Sequence, residues 1–185
     1  MKKIGVFVGI VLVGALCFGC FGCFGISRIA QDPEKYQKQN EEIPTVLDCS
    51  KYSRISTEEL TNELGEPSRV EDWTNQTFKG DFPMQIYTYD FEGFYGEFII
   101  YEDTVVKLRL FSNSEWTVEG NNSDNIFYMF GIEPSENAKK TVDTGTTHKF
   151  SPVSDKIAEI EFYNFDEAAK TFDMVYVTYN LNYFD

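Results

Sequence analysis

His148 is the only histidine in the 185-residue chain. A catalytic imidazole needs a nucleophile and an orienting acid within hydrogen-bond reach, and the sequence offers neither at a recognisable spacing. Beside Thr147, Lys149 and Phe150, the residue reads as part of an exposed strand or loop. A zinc site would need more His or Cys than the chain carries beyond residue 26. Asn121-Asn122-Ser123-Asp124-Asn125 resembles a calcium loop in composition, but lacks its alternating acids and distal Glu. Glu58-Glu59 and Asp166-Glu167 could support acid–base work, yet such pairs arise by chance among 30 acids and fit helix starts and turns. The expectation is no catalytic residue, no metal and no cofactor.

Aromatic residues are the remaining candidates. Tyr87, Tyr89, Tyr95 and Tyr101 fall on neighbouring predicted strands, and Trp73 and Trp116 near strand ends. Tyr and Trp bury large area at small entropic cost, so an exposed group suits a protein or glycan interface. The competing assignment is core packing, which is the reading adopted for Trp73. Tyr95 and Tyr101 are opposite in phase to Phe98 and Ile100, so both assignments stand for them.

These residues need a frame. Ile4 to Ile26 runs 23 residues without a charge. As a helix it would be about 34 Å long, enough to cross a hydrocarbon core. Lys2 and Lys3 precede it, so the positive-inside bias places the N-terminus in the cytoplasm and residues from about 27 outside. Lipidation at Cys20, preceded by Gly19, and conventional cleavage near residues 25–27 are the alternatives; all three export the remainder of the chain. Gly5 and Gly9, with Gly19, Gly22 and Gly25, leave self-association through the anchor open. Residues 31–185 hold all 30 acids against 13 bases. Such a polyanion is repelled by nucleic acid and anionic lipid, so neither is expected as a ligand. Cys49 is the single thiol outside the apolar segment, so no internal disulfide is available to the domain.

The chain divides into an anchor over 1–26, a polar spacer over 27–52 with a short helix near 33–39, and an exported α+β domain over 53–185. Ser56-Thr57-Glu58-Glu59 is a capping box, Leu60 and Leu64 share a helical face, and Gly65 and Pro67 terminate the helix. Strands are predicted over 69–73, 84–91, 95–101 and 104–111, the last two joined by a tight Glu102-Asp103 turn. Ser123 is the predicted cap of a second helix ending at Gly131, with strands over 157–163 and 172–179 after it. Residues 97–101 align with 159–163, and 105–111 with 174–180. The pattern predicts two tandem repeats of short helix plus antiparallel sheet, about 55–112 and 122–180.

Thr57-Glu58-Glu59-Leu60 through Leu64-Gly65-Glu66-Pro67, followed by Trp73, resembles the β-lactamase-inhibitor-protein-like fold and is similar to SmpA/OmlA-type bacterial lipoproteins. Phe130-Gly131-Ile132-Glu133-Pro134 reads as a tandem copy, although no Trp comes after it. The resemblance implies a non-enzymatic module of the bacterial cell envelope that binds an envelope or extracellular protein; the strand pattern, independently, offers Tyr87, Tyr89, Tyr95, Tyr101 and Trp116 as the binding residues. A cell-envelope hydrolase, in which His148 or paired acids would have to converge, and an assembly lipoprotein are the alternatives.

Overall fold

The computed structural model describes residues 43–120 and 122–181. The apolar segment 4–26, Cys20 and the helix expected near 33–39 lie outside the described residues. Among the described residues, no helix is long and apolar enough to cross a membrane.

The first helix obeys its sequence signals closely. In α1 (Thr57–Leu64) the Ser56 hydroxyl accepts from the Glu59 N–H, and the Ser56 N–H donates to the Glu59 carboxylate at 2.8 Å. Gly65 takes φ +82°, and its N–H closes the last turn on the Thr61 carbonyl. Leu60 is fully buried, which contributes roughly 1.5–3 kcal/mol against an exposed position.

Eight strands then form one antiparallel sheet: β1 (Arg69–Thr77), β2 (Gly80–Phe91), β3 (Phe94–Tyr101), β4 (Thr104–Thr117), β5 (Lys140–Asp143), β6 (Thr147–Phe150), β7 (Glu159–Tyr163) and β8 (Thr171–Thr178). Their spatial order is β1-β2-β3-β4-β8-β7-β6-β5. Two meanders therefore meet at the β4–β8 seam. Glu102 and Asp103 both have positive φ, as the two-residue β3–β4 hairpin requires. The one-turn helix α2 (Asn125–Tyr128) lies in the chain between the meanders.

One face of the sheet is covered. Phe98, Leu108 and Leu110 from the first meander and Ile160, Phe162, Val175 and Val177 from the second share one apolar cluster. Leu60 of α1, Ile126 and Phe127 of α2, and Cys49 and Tyr52 of the 3-10 turn Cys49–Tyr52 close over it.

The fold departs from expectation in four ways. The expected fold class, a transmembrane helix followed by two helix-plus-sheet repeats, gives way among the described residues to one continuous eight-stranded sheet with few helical residues and no helix able to cross a membrane, and the two meanders share a single core. The second helix is a single turn capped at Asp124 with no side-chain hydrogen bond, not a helix capped by Ser123. Residues 43–52 are not spacer: the Val46 N–H donates to the Met129 carbonyl at 2.7 Å, the Cys49 N–H to that of Phe130 at 2.8 Å, and Cys49 is fully buried. Strands β5 and β6 add to the predicted set, and β1 and β2 extend into a longer hairpin than the alternation indicates.

Candidate functional site

The two faces sort the sequence-selected aromatic residues. Tyr89 is buried in the main core, where its hydroxyl donates to the Gly65 carbonyl. Tyr87 packs against the same core. So does Trp116, 5.5 Å from Phe130 and 5.7 Å from Phe172 between ring centroids. These three belong to the covered face and are not brought together with Tyr95 and Tyr101, which lie half-buried on the opposite face. Trp73, assigned to the core from sequence, is 38% exposed on that opposite face, because its partner across β1–β2 is Met84.

The opposite face carries residues that the alternation alone does not select. Tyr95 stacks on Phe111 at 4.7 Å, Phe111 meets Tyr176 at 6.1 Å, and Tyr176 meets Tyr163 at 4.9 Å. The row runs from β3 through β4 and β8 to β7, so it crosses the seam between the meanders. No single stretch of sequence could display it. The Arg109 guanidinium sits 5.4 Å from the Tyr176 ring centroid and 5.7 Å from that of Trp73. The Lys107 ammonium lies 5.2 Å from the Tyr176 centroid.

Met84, Ile99 and Val106 form a second, smaller apolar cluster on this face. They floor a groove of about 280 Å³ whose walls include Trp73, Lys107, Arg109 and Glu159. Burial against the sheet holds the Lys107 ammonium below the usual lysine range, with Glu161 opposing that shift. Glu97 lies 3.5 Å from Arg109 and 3.8 Å from Arg69. Even so, the Arg109 Nε is buried without a hydrogen-bond partner. A buried N–H of that kind costs free energy until an acceptor reaches it. Chemically, the groove can take an apolar side chain next to a carboxylate or carbonyl oxygen.

His148 is not the exposed residue expected from sequence. It is 3% exposed, packed with its ring centroid 4.1 Å from that of Phe165 at a 31° tilt. Asp143, its cross-strand partner, and Glu167, from the β7–β8 connection, converge on its Nε2. This is the convergence the hydrolase alternative requires. Sequence reasoning misses it because β5 and β6 carry little strand signal and Glu167 lies 19 positions away. Asp143 is held below the usual carboxylate range, chiefly by the Lys140 ammonium and then by the Gly145 N–H.

No protein-family model matches the chain, and no curated protein does. Solved structures similar to it include a cysteine-rich secretory protein from Staphylococcus aureus subsp. aureus Mu50, at 15% identity and TM-score 0.41, covering 73% of this chain and 47% of that one. Another is an extracellular protein containing an SCP domain from Bacillus anthracis str. Ames, at 15% identity and TM-score 0.38, covering 78% of this chain and 48% of that one. The chain thus spans about half the length of each. The expected likeness to β-lactamase-inhibitor-like and SmpA/OmlA-type proteins is not found: no family model matches, and the similar structures named here belong to neither group.

Proposed function

We propose that this chain is an extracytoplasmic protein-binding module of a bacterial cell envelope, held at the membrane by segment 4–26 and without catalytic activity of its own. The address rests on the 23 uncharged residues and the two preceding lysines. The binding role rests on one observation: an uncovered sheet face whose groove joins an apolar floor, Trp73 and Arg109, beside a row of aromatic side chains on the same face. Aromatic and Arg side chains around a desolvated pocket are the usual anchors of an interface. The occupant that fits is a segment of an envelope or extracellular protein presenting an aliphatic or aromatic side chain beside a carboxylate. The overall negative charge of the domain disfavours anything more strongly acidic.

The test is site-specific photocrosslinking of the full chain in the cells that make it. Probes at positions 73 and 176 lie on the open face, and a probe at exposed position 62 lies on α1. The reading expects one discrete adduct from 73 and 176 that is lost in Arg109→Glu, and none from 62. Equal labelling from all three positions, or none from the open face, removes it. The hydrolase alternative uses different residues. Release of cell-wall fragments by the wild type, abolished in Glu167→Gln, would replace the binding reading.

A further inference from the structure

Three donor atoms meet at the outer end of the second meander. Glu167 Oε1 lies 3.0 Å from His148 Nε2, and Asp143 Oδ1 lies 3.4 Å from it. All three atoms fall within 4.8 Å of one another. His148 Nε2 is fully enclosed, yet neither oxygen meets the geometry of a ring N–H hydrogen bond. Two carboxylates therefore crowd a buried nitrogen without either one bonding to it.

That arrangement is poor for a hydrogen bond and good for a shared ligand. An ion bound to an imidazole sits on the ring's in-plane axis, and its other ligands lie off that axis. Ligands at 2.0–2.1 Å around a tetrahedral zinc ion are about 3.3–3.4 Å apart, close to the two distances seen here. One nitrogen and two carboxylates suit zinc or a similar first-row ion, whereas calcium takes six to eight oxygens at longer range. The surroundings hold the donors in place. Lys140 binds the other oxygen of Asp143, Oδ2, at 3.1 Å, and the Gly145 N–H donates to Oδ1 at 3.3 Å. Phe165 packs against the imidazole, and β6 pairs His148 with Phe162 in the sheet. Glu167 and Asp143 are exposed, so an ion has a path from solvent. His148 and Glu167 also line a cavity of about 350 Å³ with Phe127, Phe165, Lys140 and Lys170.

We propose that Asp143, His148 and Glu167 form a site for one divalent transition ion, with zinc as the reference, tying the β5–β6 hairpin to the β7–β8 connection. The two lysines oppose it electrostatically. Lys140 acts as a positioning residue for Asp143 and as a competing cation, so the site is a moderate binder tuned by its neighbours. The assignment is independent of the groove on the open face.

The test uses the full chain, stripped of metal and held in detergent micelles. Zinc is titrated with excess magnesium and calcium present to occupy adventitious carboxylates. Cobalt is titrated in parallel for its visible spectrum. One equivalent of zinc is expected, with a higher unfolding temperature and a visible band for cobalt on a nitrogen-containing site. His148→Gln and Glu167→Gln should each weaken binding by at least about tenfold. Glu167 is exposed on a connection, so its variant carries the test even if His148→Gln misfolds. Zinc affinity unchanged in Glu167→Gln, or no zinc bound by the wild type, overturns the proposal.

Discussion

Gly131 stands with φ +62°, pressed against the segment that precedes α1. A Cβ placed there would lie 2.5 Å from Asp48 Oδ1 and 2.7 Å from its Cα. Gly131→Ala therefore combines left-handed strain with a backbone collision and should cost about 2–4 kcal/mol in urea unfolding. From sequence this glycine reads as a helix terminator; its tighter constraint comes from a chain 83 positions away and is invisible locally. Tyr179 is similar. Its hydroxyl donates to the Cys49 carbonyl at 2.9 Å inside the core, and burial drives the phenol well above its ordinary range. Tyr179→Phe should lose about 1–2 kcal/mol, read by the same unfolding curve, since it leaves a buried carbonyl short of its donor. His148 gives the counterpart at the candidate ion site: the residue type is legible in the sequence, its burial and its two acidic neighbours are not.

Elements with strong local chemistry are readable and elements held by pairing are not. The capping box of α1 and the Glu102-Asp103 hairpin carry their instructions within a few residues. By contrast, β5 and β6 are four residues each with little apolar content, and exist because β7 offers a hydrogen-bonding edge. Trp116 shares the parity of Leu108 and Leu110 and packs into the same core, while the ladder to β8 shifts register between Phe111 and Trp116. The cap of α1 makes a pH prediction. Glu59 is held below its ordinary value of 4.5 by the Ser56 backbone N–H and then by the Ser56 hydroxyl. A depressed carboxylate contributes stability that is complete above the unfolded value and disappears as pH falls through the folded one. Thermal unfolding of wild type and Glu59→Gln should therefore differ by a constant amount above about pH 5, and the difference should shrink below about pH 4.5.

On the scale of the molecule, the shared core decides how it unfolds. Phe162 of β7 is fully buried, 6.2 Å from Phe130 and 5.3 Å from Phe172. Phe162→Ala should cost about 3–5 kcal/mol. Because the same cluster holds Phe98 and Leu108 of the first meander, tryptophan fluorescence, reporting Trp73 and Trp116, should track far-UV dichroism in one transition. Two separable transitions would mean that the meanders stand alone. The alternating segments 95–101 and 104–111 announce an antiparallel sheet with one covered face. Which strands join across the middle is not written in any alternation, because β4 and β8 match only through the assembled core.

The seam also sets a kinetic order. Every other pairing joins strands that are consecutive in the chain, so each can close through a short loop. Lys107 and Thr178, by contrast, meet across about 70 residues. Loop-closure entropy falls on that one step, and it gains nothing until both hairpin stacks are partly formed. The row of rings crossing the seam, with Arg109 among them, is therefore assembled last. During synthesis the open face would come into being only after β8 has left the ribosome, so a nascent chain lacking β8 has no intact groove to offer a partner.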